Sequence, residues 1–254
     1  MQEPSEREDL KEEIARIDSQ ISALAELKRQ YLIKLAAPAE LPTVSSSVLR
    51  LTPEDKIALF RSYFRGREDI YARRWENRAG KSGYSPACKH EWDRAFCRKP
   101  EIKCSECGNR ELLRFDETVV SRHLGGQLVA GIYPLLANDA CFFLAMDFDG
   151  DGWAKDIAAI RETCASEKVP AAVERSRSGN GGHVWVFFSE EVPASLARRL
   201  GTGLISKTMT RYCQLGVKSY DRLFPNQDTM PQGGFGNLIA LPLQKAARQG
   251  IASS

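Results

Sequence analysis

A run of nine residues, Cys141 to Asp149, limits most strongly what this chain can fold into. Its sequence, CFFLAMDFD, is apolar at nearly every position until it ends in two aspartates. Because side chains alternate between the two faces of a strand, this pattern predicts a strand that is buried on both faces. The same alternation places Asp147 and Asp149 on one face, where the buried strand ends.

Composition excludes several classes of protein. The 254 residues are 43% hydrophobic and 27% charged, with a net charge of +3, which is typical of a soluble globular protein. No stretch approaches the roughly 18 apolar residues of a membrane span, and the acidic start lacks the apolar core of a signal peptide. We therefore expect a cytoplasmic protein with no membrane partner, in which clustered cysteines indicate a metal site rather than disulfides.

The chain divides by composition into four parts. Residues 1–36 form a charged segment with apolar positions at heptad-like spacing, namely Leu10, Ile14, Ile17, Ile21, Leu24, Tyr31 and Leu35. This predicts an amphipathic helix that packs on its own domain or self-associates as a coiled coil through residues 10–35. A linker rich in Pro, Ser and Thr follows at 37–53, then a domain at 54–245 and a short tail at 246–254.

Within the domain, helical and strand patterns alternate. Thr52 and Pro53 begin a predicted helix that runs to about Phe64. Further helices are predicted at 117–124, 153–168 and 193–213, and further strands at 171–174, 183–188 and 236–242, whereas residues 220–228 are predicted to form a loop.

Four cysteines fall within twenty residues. They are spaced as Cys88-x8-Cys97-x6-Cys104-x2-Cys107, and the last pair has the spacing of a zinc knuckle. The pattern predicts a structural Zn²⁺ site within residues 84–110, with His90 as an alternative ligand. The competing interpretation is four unrelated thiols.

The segment around these cysteines is basic. Residues 65–114 hold thirteen Lys and Arg against eight Asp and Glu, with five aromatic residues interleaved. Such a segment suits the phosphate backbone and stacked bases of a nucleic acid, although it is equally compatible with a solvated face around a zinc site.

Two aspartates at the end of the buried strand form the second candidate site. The carboxylates of Asp147 and Asp149 repel each other unless a cation lies between them, and carboxylate oxygens suit Mg²⁺ or Mn²⁺. The alternative is an ordinary strand-end turn. A two-metal site needs a third carboxylate, which Asp221 or Asp228 could supply.

A glycine-rich turn forms the third candidate site. It reads RSRSGNGGH, from Arg175 to His183. The backbone amides of such a turn can approach an anion closely. Ser178 and Asn180 can add side-chain hydrogen bonds, Arg175 and Arg177 add positive charge, and the His183 ring could contact a phosphate. A hairpin turn with an unrelated histidine fits the pattern equally well.

Taken together, these motifs resemble the archaeo-eukaryotic primase superfamily of primase-polymerases. The family has a strand-borne D-x-D/E, a Ser/Gly-rich turn that ends in His, and a later acid beside a strand. The residues of the motifs are most similar to those of the primase domain of TOTE conflict systems and of CRISPR-associated primase-polymerases. The segments that carry this similarity are GYSPAC, LAMDFDG, ERSRSGNGGHVWVFF and YDRLFPNQD…GGFGNLIALPLQ. The resemblance covers residues 63–245.

The resemblance implies an α+β fold, with an RRM-like catalytic sheet beside a second α/β unit, a zinc knuckle and an N-terminal helical arm. It implies template-directed nucleotidyl transfer with two catalytic Mg²⁺ or Mn²⁺ ions held by Asp147, Asp149 and an acid near 221. The residues implied to hold the triphosphate are Arg175, Ser178, Gly179, Asn180 and His183, with help from Arg177.

The leading hypothesis is thus a DNA primase-polymerase that uses a single-stranded DNA or RNA template and dNTPs or NTPs. The alternative is a silent or incomplete primase-like module that binds single strands and nucleotide, and a metal nuclease ranks third. In the related branch more primase sequence and often a helicase follow, so we also expect that the chain is a fragment of a larger enzyme, or acts with a helicase or another effector, in a mobile element or in defence.

Overall fold

The computed structural model describes residues 13, 14, 16, 17, 19–21, 51–212 and 217–251. Contacts divide the chain into residues 1–50 and 51–254. In the first unit the described residues are helical, and the side chains of Ile14, Ile17 and Ile21 are exposed. The other apolar positions of the predicted coiled coil, and the linker up to residue 50, lie outside the described residues.

The first helix of the second unit is the one that Thr52 and Pro53 predict. The helices are α1 Pro53–Tyr63, α2 Glu117–Leu124, α3 Trp153–Ser166, α4 Ala194–Arg211 and α5 Lys245–Ile251. The first turn of α1 explains its position, because Thr52 and Asp55 form a reciprocal capping box. No helix in the described parts of the chain is long and apolar enough to cross a membrane.

In the part of the chain that the structure describes, eight strands form two antiparallel sheets. The strands are β1 Ala72–Glu76, β2 Ser82–Pro86, β3 Ala130–Ile132, β4 Ala140–Asp149, β5 Ala172–Arg175, β6 Gly181–Pro193, β7 Tyr220–Phe224 and β8 Ile239–Ala240. The first sheet has the order β2-β1-β3-β8 and the second has the order β5-β6-β4-β7. The mixture of helices and antiparallel sheets confirms the coarse fold class that the sequence predicts.

Strand β4 is buried on both faces, as its apolar run predicts. On one face Phe143 and Ala145 pack in the core cluster that contains Phe64 of the α1 end and Ile132 of the first sheet. On the other face Leu144 and Met146 pack in a second cluster, whose further members come from α3, α4, β6 and β7 and include Ile157, Ile160, Leu204 and Leu223. The end of β4 is therefore held firmly from both sides.

The structure corrects the prediction of a loop over residues 220–228. Tyr220–Phe224 is strand β7, which pairs with β4. Its sequence, YDRLF, has no apolar alternation in its first three residues, so the pairing partner and not the local pattern makes it a strand. Strands β1 and β2 lie in the basic segment and were not predicted, and α5 occupies most of the predicted tail.

The buried side chain of His123 joins α2 to strand β3 and to the segment that follows β8. Its Nδ1 accepts a hydrogen bond from the Ala130 amide at 3.1 Å, and its Nε2 donates to the carbonyl oxygen of Pro242 at 2.8 Å. Burial lowers the pKa of His123 below 6.5, because a charged imidazole would lose its hydration there. The ring is therefore neutral in the folded protein at pH 7.

We predict that His123→Leu destabilises the protein by about 2–4 kcal/mol, because the Ala130 amide and the Pro242 carbonyl lose their partner. Below pH 6.5 the unfolded chain takes up a proton that the folded His123 does not, so this residue costs the wild type up to about 1.4 kcal/mol per pH unit there. Urea unfolding of both proteins at pH 7.5 and 5.5 measures both effects. An equal pH dependence in the two proteins would contradict this role of His123.

Candidate active site

Three carboxylates meet at the end of β4. Asp147 and Asp149 lie two residues apart on that strand, and Asp221 lies on the neighbouring strand β7. One oxygen atom from each of the three lies within 4.8 Å of the others. A set of carboxylate oxygens at this spacing fits Mg²⁺ or Mn²⁺ by its donor chemistry.

A β-bulge in β7 explains how Asp221 reaches the cluster. Asp147 is paired with Arg222, and the next residue along β4, Phe148, is paired with Tyr220, so Asp221 is the extra residue of the bulge. The rings of Phe148 and Tyr220 pack together on the opposite face, with centroids 5.9 Å apart. An unpaired residue in a bulge can turn its side chain to a face that regular alternation would deny it.

Of the two acids that the sequence left open as the third ligand, only Asp221 lies in the cluster. Asp228 instead pairs with Arg198 on α4, and Asp221 accepts a hydrogen bond from Arg222 Nε at 2.7 Å. The Arg222 guanidinium thus lies at the edge of the acid cluster, where it offsets part of the negative charge.

Electrostatics within the cluster favour a cation. Burial, together with the negative charges of Asp147 and Asp221, raises the pKa of the Asp149 carboxyl above its ordinary value. The shift means that the ionised form of Asp149 is costly in this place. A divalent ion between the carboxylates would remove that cost.

His183 lies beside the acids, on the adjacent strand β6. Its Nε2 is 3.3 Å from Asp147 Oδ1, and its Nδ1 is 2.9 Å from Glu174 Oε2 on β5. Burial by itself lowers the pKa of His183, but the hydrogen bonds to Asp147 and Glu174 outweigh it and raise the pKa to about 9. The imidazole is therefore a buried cation at neutral pH.

Glu174 is the residue that sequence reasoning missed. The same oxygen that meets His183 also accepts a hydrogen bond from Trp185 Nε1 at 3.2 Å, so this carboxylate fixes two rings on β6. Its register opposite His183 follows from the pairing of β5 with β6. The signal that could have revealed Glu174 is its position directly opposite a candidate histidine in the predicted β5–β6 hairpin.

The predicted triphosphate turn connects β5 to β6 and closes on itself. Gly179 has a φ of +80°, which glycine adopts without strain. The Arg175 Nε donates to the carbonyl oxygen of Gly179 at 3.0 Å, and the Ser178 hydroxyl lies 3.0 Å from that of Ser176. The Asn180 carbonyl oxygen accepts a hydrogen bond from the Gly150 amide, which attaches the turn to the end of β4.

Gly181 brings this turn against the acids. A Cβ placed on Gly181 would lie 2.4 Å from Asp149 Oδ1 and 2.6 Å from the carbonyl oxygen of Phe148. Only a residue without a side chain fits there. The close approach explains why the turn and the carboxylates form one site rather than two.

An apolar groove of about 830 Å³ opens beside the turn. Glu174, Arg175 and Arg177 line one side of it, and its other walls come from the end of α1, strand β6 and residues 241–248. A ligand held by the turn would therefore have an apolar wall next to it.

The four clustered cysteines converge on a separate, small cavity. Cys88, Cys97, Cys104 and Cys107 all line it, together with His90. Among the residues that the structure describes, the three acids are the one set of three or more Cys, His, Asp and Glu residues whose ligand atoms all lie within 4.8 Å of one another. The four cysteines thus line a common cavity, but no three of their thiols reach that spacing, and His90 Nε2 lies 3.2 Å from Glu111 Oε2.

A second acid that the sequence did not mark, Glu91, attaches the cysteine segment to the β1–β2 hairpin. Its side chain is only 3% exposed and accepts hydrogen bonds from Ser85, Lys99 and Arg73. Burial alone raises the pKa of Glu91, yet these three donors together hold it below its ordinary value. The cysteine segment is therefore anchored to the first sheet by a paired, buried charge.

We predict that Gly181→Ala lowers the affinity of the acid cluster for Mn²⁺ by about tenfold or more, because the new methyl group displaces Asp149. Gly203→Ala in α4 is the matched control: its Cβ would meet nothing within 4 Å, and helix propensity favours it by about 1 kcal/mol. Mn²⁺ titration followed by electron paramagnetic resonance measures the affinity. Equal affinity in both variants would contradict the steric argument.

A comparison with models of protein families identifies the family of this chain. No curated protein sequence matches the chain significantly. The family model of the TOTE conflict system, archaeo-eukaryotic primase domain, matches residues 55–254, which include the whole acid cluster, the turn and the cysteine segment. The match covers most of the chain and confirms the resemblance seen in the motifs, so the chain belongs to the archaeo-eukaryotic primase domain family of TOTE conflict systems.

Proposed function

We propose that this protein is a DNA primase-polymerase that performs template-directed nucleotidyl transfer by a two-metal mechanism. The observation that carries the proposal is the acid cluster of Asp147, Asp149 and Asp221 beside the cationic His183 and the glycine-rich turn. Membership of the primase domain family supports the reaction class.

In this proposal the three acids hold two Mg²⁺ or Mn²⁺ ions. When bound, the ions supply activation of the attacking 3′-hydroxyl and charge neutralisation on the triphosphate and its pyrophosphate leaving group. The acids would hold the ions in place, and the bulge of β7 sets the separation of the three carboxylates.

The turn and His183 hold the triphosphate. The buried imidazolium of His183 has its Nε2 3.3 Å from Asp147 Oδ1, and Glu174 keeps the ring in that orientation. A phosphate group held beside Asp147 would therefore lie next to this positive charge. Within the turn, the Gly179 amide donates to the Ser176 carbonyl oxygen and the Asn180 amide to Ser178 Oγ, and a bound triphosphate would take over these donors. Arg175 shapes the turn through its bond to Gly179. An incoming nucleotide bound there would place its base beside the apolar groove.

We predict that Asp147→Asn lowers the rate of primer extension about a thousandfold, because a metal ligand that contributes about 4 kcal/mol to the transition state is lost. The measurement is extension of a primer on a single-stranded DNA template with Mn²⁺ and all dNTPs. Repeating it without a primer tests initiation, and NTPs in place of dNTPs test sugar preference.

Two matched variants sharpen this experiment. Asp221→Asn removes the acid that lies in the cluster, whereas Asp228→Asn removes the acid that pairs with Arg198. We expect the first to match Asp147→Asn and the second to match the wild type. No extension by the wild type, combined with tight binding of single strands, would contradict the enzyme and favour the binding module.

We also propose that the cysteine segment binds one structural Zn²⁺ and that the basic surface around it tracks the template. Four thiols on one cavity form a donor set typical of structural zinc. Lys99 and Arg73 are committed to Glu91, so the template contacts fall to other basic residues of 65–114.

We predict that the purified protein contains about one Zn²⁺ per chain and that Cys104→Ser removes it, because a structural site needs all four ligands. Cys164→Ala is the control, since this thiol of α3 is buried in the second core cluster, away from the cavity. Elemental analysis gives the content, and thermal unfolding with and without chelator gives its contribution. Zinc retained by Cys104→Ser would contradict the site.

The remaining proposals concern partners and location. We propose that the protein works in the cytoplasm, where its thiols stay reduced, together with a helicase or another effector of the same system. The exposed Ile14, Ile17 and Ile21 support self-association through residues 10–35.

A further inference from the structure

A buried carboxylate outside the acid cluster, that of Asp156, is connected to the cluster by hydrogen bonds through one other residue. Asp156, in the first turn of α3, is only 5% exposed. Its Oδ2 accepts two hydrogen bonds from one residue, Ser219: from the backbone amide at 3.1 Å and from the hydroxyl at 2.7 Å. Burying a carboxylate is costly unless it is hydrogen-bonded, so Asp156 holds Ser219 firmly in place.

Ser219 connects this anchor to two of the three acids. Its carbonyl oxygen accepts a hydrogen bond from the Asp149 amide at 2.8 Å. In sequence it directly precedes β7, two residues before Asp221. One buried serine, itself 6% exposed, therefore touches the backbone of one ligand and sets where the strand of another begins.

The position of this anchor matters because regular strand pairing ends there. The pairing of β4 with β7 is interrupted by the bulge at Asp221 and last joins Phe148 to Tyr220. Beyond that pair, the bond between Asp149 and Ser219 is what holds the two strand ends together. Like-charge repulsion between Asp149 and Asp221 acts at this same end and pushes the strands apart.

We propose that Asp156 is a positioning residue for the acid cluster: through Ser219 it fixes the separation of the Asp149 and Asp221 carboxylates. The inference rests on the proposed function in one respect, namely that the cluster binds divalent cations. Asp156 does not itself touch the ions or the reacting atoms. The competing explanation is that the negative charge of Asp156, at the start of α3, stabilises this helix and has no effect on the acid cluster.

The test compares three variants by Mn²⁺ titration, with Asp147→Ala/Asp149→Ala as the baseline without the cluster. Asp156→Ala removes both hydrogen bonds to Ser219, and we expect affinity to fall about tenfold or more. Asp156→Asn keeps an oxygen acceptor in the same place without the charge, and we expect it to restore most of the affinity. Should Asp156→Ala not fold, Ser219→Ala replaces it, with an expected loss of about threefold to tenfold.

Thr208→Val is the matched control for lost stability. The Thr208 hydroxyl of α4 is buried and bonds Thr163 of α3 and the Leu204 carbonyl oxygen, so its loss weakens the packing of α4 against α3 without touching Ser219. We expect Thr208→Val to bind Mn²⁺ like the wild type. Unchanged affinity in Asp156→Ala, equal losses in the Ala and Asn variants, or an equal loss in Thr208→Val would each overturn the inference.

A second readout needs no metal and separates the inference from the proposed function. Hydrogen exchange of the Asp149 amide reports its bond to Ser219 directly. We expect faster exchange in Asp156→Ala than in the wild type or in Thr208→Val, and unchanged exchange would overturn the positioning role. A wild type that binds no Mn²⁺ above the baseline would contradict the proposed function, while the exchange comparison would still decide the role of Asp156.

Discussion

Three like charges share a small space at the end of β4, and the second sheet is organised around keeping them there. Two unit charges about 4 Å apart repel by about 4 kcal/mol at an effective dielectric constant of about 20. The carboxylates withstand this because β4 is paired on both sides and packed on both faces. A strand so constrained cannot relax to separate the charges, so the energy is available to bind cations.

The surroundings of the acids show how that charge is partly balanced. His183 and Arg222 bring positive charge to opposite sides of the cluster, and each is held by a specific acid, Glu174 or Asp221. Farther out, Asp156 and Glu91 are buried carboxylates whose hydrogen bonds join separate elements. Asp156 lies one residue away from the acid cluster through Ser219, whereas Glu91 anchors the cysteine segment to the first sheet.

How much the sequence could predict depended on how local the determining interaction was. The apolar run of β4, the capped start of α1 and the glycine-rich turn were recognisable because their patterns are contained within a few residues. Strand β7 was mistaken for a loop because its charged residues conceal the alternation that pairing with β4 imposes. Glu174 escaped notice because its significance lies in its register with His183, not in its own neighbours.

The chemistry available to this protein is evident from short motifs: an aspartate pair after a buried strand, a turn that ends in histidine, clustered thiols and, through these motifs, the primase family. Which carboxylate completes the cluster depends on the fold. The motifs favour Asp221 by its position but leave Asp228 open, whereas in the structure a one-residue bulge turns Asp221 toward Asp147 and Asp149, and Arg198 pairs with Asp228. The physical reason is that a bulge arises from the pairing of two strands distant in the chain, and no local pattern encodes it.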